Sequence, residues 1–141
     1  MKILEYGKER DKTLLFLPCT AEPEWAFTDA VTRLAREYRV VQVIYDGHGE
    51  TGEDFVSVEM TVDEVTDRLR RRGITRLDAA YGCSLGGACL TRLLALGEIP
   101  VGRAIFGAFG SSRAAGGCWR RSIRPSAGHC RGAIPQRNMT R

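Results

Sequence analysis

Residues 79–88 read AAYGCSLGGA and place Ser84 in a G-x-S-x-G spacing. A serine becomes a nucleophile when a tight strand-to-helix turn projects its hydroxyl from the top of a sheet. The backbone two residues before and two after then comes so close that any side chain would clash, so both places require glycine. Gly82 and Gly86 fill them. The helix that follows aims free N–H groups and the positive end of its dipole at the serine. The Leu85 N–H would face a developing oxyanion. The chemistry these residues point to is acyl transfer through Ser84. The plainer alternative is a strand–turn–helix that contains glycine and serine by chance; the strand and helix signals on either side favour the nucleophile.

The elements that must position Ser84 alternate along the chain. Residues 2–6 read as a short strand, and TLLFL at 13–17 as a buried strand ended by Pro18. Phe27, Ala30, Val31, Leu34 and Tyr38 follow the spacing of an amphipathic helix. VVQVIY at 40–45 is a second buried strand, rich in β-branched residues. Thr61 opens the next helix, with Glu64 completing a capping box. Val62, Val65 and Leu69 form its apolar face, Glu64–Arg68 and Asp67–Arg71 its i,i+4 pairs, and Gly73 its stop. Residues 77–81 form a third main strand, 85–96 a helix with Leu90, Leu93 and Leu94 inward, and 101–106 a fourth strand. The alternation predicts an α/β fold: a mostly parallel sheet with helices on both faces, in three α/β/α layers.

Composition divides the chain. Of its 141 residues, 43% are hydrophobic and 27% charged, as in globular proteins. Residues 1–98 carry 13 basic and 17 acidic side chains, and residues 99–141 carry 8 arginines with no lysine and no acid. Periodicity stops near Phe109, so 1–110 is read as the ordered domain and 111–141 as an Arg/Gly/Ala/Ser-rich, disordered tail. No apolar run is long enough to span a membrane, and MKILEYGKERDK is unlike a signal peptide, so a cytoplasmic protein is expected. The five cysteines, with no C-x-x-C pair, read as free thiols with no metal site.

Three segments, in order, make the chain resemble the α/β-hydrolase superfamily, and its esterase- and lipase-like serine hydrolases in particular. These are LLFLPCT followed by Trp25, YDGHGE, and GCSLGG itself. The resemblance implies a second oxyanion donor after the strand at 13–17. The family has His-Gly-x there, and Pro18-Cys19-Thr20 occupies the place, so the N–H of Thr20 is the matching donor. It also implies a structural role for His48, in the loop that resembles the family's Gly-His-Gly. The substrate class implied is a small-molecule ester or related acyl compound. The similarity covers about residues 1–110, whereas a full domain of this kind needs roughly 200–250 residues.

The family's triad runs serine, acid, histidine along the chain. Here no Asp or Glu follows Glu98, and the one later histidine, His129, lies in the tail with no strand signal before it. General base and acid therefore stay unassigned, and a C-terminally truncated chain with weak or no activity is the expectation. Gly47, Gly49 and Gly52 also match G-x-G-x-x-G after a strand, but Glu53 and Asp54 follow where a pyrophosphate would sit, so no cofactor is expected. Two other classes stay in view. An interaction subunit would self-associate through the exposed sheet edge at 101–106. A basic-tailed nucleic-acid binder would use the arginines of 111–141. That tail has a single aromatic, Trp119, and no helical basic stripe, which makes nucleic acid the weaker partner.

Overall fold

The computed structural model describes residues 1–20, 22–48 and 53–107. The tail at 111–141, with His129, lies outside them, as do Gly49 and Gly52 of the glycine-rich loop.

Five strands form one sheet: β1 (Lys2–Tyr6), β2 (Thr13–Leu17), β3 (Arg39–Ile44), β4 (Ala79–Gly82) and β5 (Ala104–Phe106), in the order β1-β3-β2-β4-β5. The pairs β3–β2, β2–β4 and β4–β5 are parallel. β1 is antiparallel to β3, with Lys2 opposite Ile44 and Tyr6 opposite Val40. The sheet is thus mixed rather than wholly parallel. β1 is the antiparallel edge, and it pairs with β3 rather than with β2, its neighbour in the chain.

The helices are α1 (Thr28–Leu34), α2 (Val58–Arg71) and α3 (Leu85–Leu96), with a short 3₁₀ helix at Glu24–Phe27 before α1. Successive strand residues face opposite sides, and two clusters divide accordingly. On one face Leu15, Leu17, Val41, Val43 and Ala80 pack with Val62, Val65 and Leu69 of α2 and Cys89, Leu90 and Leu93 of α3. On the other, Leu14, Phe16, Val40 and Ala79 pack against Val31 of α1. This is the three-layer α/β/α arrangement.

Several boundaries differ from the sequence reading. α2 begins one turn before Thr61. Ser57, in extended conformation, caps it by accepting from the Met60 N–H at 3.2 Å. Thr61 lies inside the first turn, where its hydroxyl donates to the Ser57 carbonyl at 2.8 Å. Glu64 therefore closes no capping box and instead pairs with Arg68. Phe27 belongs to the 3₁₀ turn rather than to α1, which ends at Leu34. The last strand is shorter than 101–106: Val101 makes only an isolated bridge to Leu77 before the ladder resumes at Ala104.

Candidate active site

The connections leaving β2 and β4 run in opposite directions, to β3 on one side and β5 on the other. Such a switch point leaves a crevice at the carboxyl ends of the two strands, where open α/β sheets bind ligands. Pro18 follows β2 and Ser84 follows β4, so both lie at this end of the sheet.

Ser84 joins β4 to α3, as the residue that precedes the first turn of the helix. Its side chain is exposed. Its backbone has φ 49° and ψ −114°, the one positive φ outside glycine among the described residues. A non-glycine residue there costs about 1–3 kcal/mol and persists only where its surroundings enforce it. The enforcement is visible. The Gly86 N–H donates to the Cys83 carbonyl at 2.8 Å, and the Cys83 N–H donates to the Leu17 carbonyl at 3.2 Å, closing the turn onto the end of β2.

Both flanking glycines are sterically required. A Cβ on Gly86 would lie 2.6 Å from the Leu17 carbonyl carbon, nearer still to its oxygen, and 2.7 Å from the Pro18 oxygen. A Cβ on Gly82 would lie 2.8 Å from the Gly86 carbonyl carbon and 3.0 Å from Cβ of Leu90. The turn thus packs backbone on backbone at three levels: the end of β2, the end of β4 and the first turn of α3.

Leu85, half-buried, is the first residue of α3, and its N–H is among those a helix leaves without an internal partner. Thr20 is exposed, three residues beyond β2. Cys19 is half-buried and lies near the buried Cys83. Burial first, then the contacts with Cys83 and Glu22, push the Cys19 thiol up to about 12. It is therefore protonated at neutral pH and is no thiolate nucleophile. Burial, and then the neighbouring Cys83, likewise raise the Tyr81 hydroxyl.

His48 is half-buried, with its ring edge-on to Tyr45 at 5.7 Å and to Phe55 at 5.9 Å between centroids. Its Nδ1 lies 2.8 Å from the Asp46 carbonyl oxygen, which can only accept, so Nδ1 carries the proton. The ring is wedged between two aromatics and tied to its own loop.

Tyr45 is the residue that sequence reasoning did not single out. It ends the run at 40–45, is 1% exposed, and donates its hydroxyl to the Pro18 carbonyl at 3.2 Å. Its one sequence signal is an aromatic closing a buried aliphatic strand just before Asp46-Gly47-His48.

Solved structures of known proteins share this fold. A protein described as an alpha/beta hydrolase family member from Desulfitobacterium hafniense superposes with a TM-score of 0.70 and 24% identity, over 77% of this chain and 44% of that one. The fold is that of the α/β-hydrolases, in part. A protein described as a probable hydrolytic enzyme from Pseudomonas aeruginosa PAO1 matches with a TM-score of 0.61 and 20% identity, over 74% of this chain and 35% of that one. The chain therefore spans less than half the length of either hydrolase-fold structure. No protein-family model and no curated protein sequence matches it. In this hydrolase fold, the five described strands and three helices provide a strand–turn–helix that holds a strained, exposed serine at the carboxyl edge of the sheet.

Proposed function

We propose that Ser84 is the nucleophile of an acyl-transfer site for an ester or related acyl substrate, with the N–H groups of Leu85 and Thr20 as oxyanion donors. The observation that carries this reading is the Ser84 backbone, held at φ 49° by contacts that leave its side chain in solvent. Strain of this kind has no packing benefit, since the side chain it positions touches no core.

The chemistry would run in two halves. Ser84 Oγ attacks the substrate carbonyl carbon, and the carbonyl oxygen becomes an oxyanion between the two N–H donors. Collapse expels the alcohol and leaves an acyl group on Oγ, which water then removes. The hydroxyl proton needs a base. Among the described residues the one histidine is His48; its ring packs between Tyr45 and Phe55 and its hydrogen bond is to the Asp46 carbonyl of its own loop, with none to Ser84. With no base bonded to Ser84 among the described residues, we propose that turnover is slow or absent.

An added base makes the idea testable. The purified chain is treated with a fluorophosphonate, with and without imidazole, and the Ser84 peptide is examined by mass spectrometry. Without imidazole, labelling matches a Ser84→Ala control. With imidazole, a small base that can enter an open site, Ser84 acquires the phosphonyl adduct and Ser84→Ala does not. Absence of a Ser84 adduct at every imidazole concentration refutes the nucleophile. Rapid labelling without imidazole that disappears in His48→Ala would instead make His48 the base.

A further inference from the structure

Tyr45 carries a buried hydroxyl for which the acyl-transfer chemistry has no direct use, yet its bond goes to the Pro18 carbonyl, which packs against Gly86 in the first turn of α3. The hydroxyl donates to the Pro18 carbonyl at 3.2 Å, and Tyr45 shares one core cluster with Cys89 and Leu90 of α3. Cys89 and Tyr45 are both fully enclosed, at 0% and 1% exposure. Tyr45, directly after β3, thus packs in the core with α3, the helix that opens with Leu85, and bonds to the loop that carries Thr20. From the Proposed function reading, those are the two elements that supply the oxyanion donors.

The geometry points to Tyr45 as the positioning residue that sets the loop at 18–20 against the N-terminus of α3. A trans peptide is rigid and planar, so fixing the Pro18 carbonyl also fixes the direction of the Cys19 N–H on its other side. From there a single residue, Cys19, separates the pinned plane from the Thr20 N–H. The Pro18 oxygen has little freedom on its other flank, where a Cβ on Gly86 would approach it to 2.7 Å. The phenol itself is braced edge-on by His48, with centroids 5.7 Å apart. Burial and the neighbouring thiols raise the Tyr45 hydroxyl well above its ordinary range, so it stays a protonated donor at any working pH. This also gives His48 a purpose that needs no proton transfer. Its ring holds the ring that holds the loop.

Tyr45→Phe removes the hydroxyl and keeps the ring in its place in the core. A buried carbonyl then loses its donor, and the loop can leave the position the bond imposed. The proposal rests on the Ser84 reading for its catalytic meaning but not for its structural content, and two measurements separate them. In ¹H–¹⁵N spectra, the amide resonances of Cys19, Thr20 and Leu85 shift or broaden in Tyr45→Phe, while those of Leu15 and Val41 in the strands stay put. In the imidazole-assisted fluorophosphonate reaction, the limiting rate at Ser84 falls about fivefold, equivalent to about 1 kcal/mol, with the probe concentration for half-maximal rate unchanged. Unmoved Cys19 and Thr20 resonances in a folded Tyr45→Phe protein overturn the proposal. So does an unchanged limiting rate. If wild type and Ser84→Ala label alike, the nucleophile reading alone falls, and the resonances still decide whether Tyr45 holds the loop.

Discussion

Replacing Gly86 by alanine tests how the elbow is built. In the interior of a helix this substitution normally helps, by about 1 kcal/mol. Here the new methyl would stand 2.6 Å from the Leu17 carbonyl carbon and 2.7 Å from the Pro18 oxygen. Relaxed carbon contacts lie at about 3.5–4.0 Å, so the methyl must retreat by about 1 Å. Nothing flexible is available to yield, because every atom it meets is backbone at the end of β2. Overpacking of this kind costs about 1–3 kcal/mol, and rigid neighbours put it at the upper end. Moving β2 away also weakens the bond from the Cys83 N–H to the Leu17 carbonyl, worth about 1 kcal/mol. Against the gain in helix propensity, the expected loss is about 3 kcal/mol, a large part of the stability of a small domain. Urea unfolding reads it directly, with the midpoint falling by roughly 1–3 M at an ordinary m-value. Gly97→Ala is the control: Gly97 has φ 66° and no atom within 4 Å of a built Cβ, so only left-handed strain of about 1 kcal/mol applies. If Gly86→Ala costs no more than Gly97→Ala, the steric account of the elbow is wrong.

Ser84→Gly releases the strain at φ 49°, about 1–3 kcal/mol, against about 0.5–1 kcal/mol for the extra freedom of glycine when unfolded. The variant is expected to be more stable than wild type by about 1 kcal/mol, with Ser84→Ala unchanged; equal melting of Gly and Ala variants would deny the strain. A third expectation concerns Glu5, whose carboxylate accepts from Arg39 at 2.6 and 3.0 Å and from Arg72 at 2.9 Å, tying β1 to β3 and the end of α2. Burial alone would raise this carboxyl, but the two guanidinium groups outweigh it and hold it below its ordinary 4.5. A lowered carboxyl contributes stability that is complete above the ordinary value and is lost as pH falls through the folded one. Glu5→Gln should therefore lower stability at neutral pH by about 2 kcal/mol and flatten the loss below pH 4.5; an acid limb identical to wild type would refute the assignment.

Local sequence determined the elements that speak through short-range chemistry. Leu85–Leu96 emerged with the bounds its pattern gave, because a glycine in the left-handed region at Gly97 stops a helix whatever surrounds it. The two faces of β2 and β3 followed from a period of two, which the backbone imposes on every strand. The need for glycine at 82 and 86 was legible for the same reason, since it is a property of the turn. What local pattern could not decide was anything set by a neighbour distant in the chain. The direction of β1 depends on which strand it meets, and that strand begins at Arg39. The start of α2 went to Ser57 instead of Thr61, because two hydroxyl residues four apart offer equal caps, and the packing of the whole helix chooses between them. Above all, the bond from Tyr45 to Pro18 joins residues 27 apart. A hydroxyl in an aliphatic run carries no local sign of its acceptor. Only the parallel pairing of β2 with β3 brings their carboxyl ends, and with them the loop beside Ser84, within its reach.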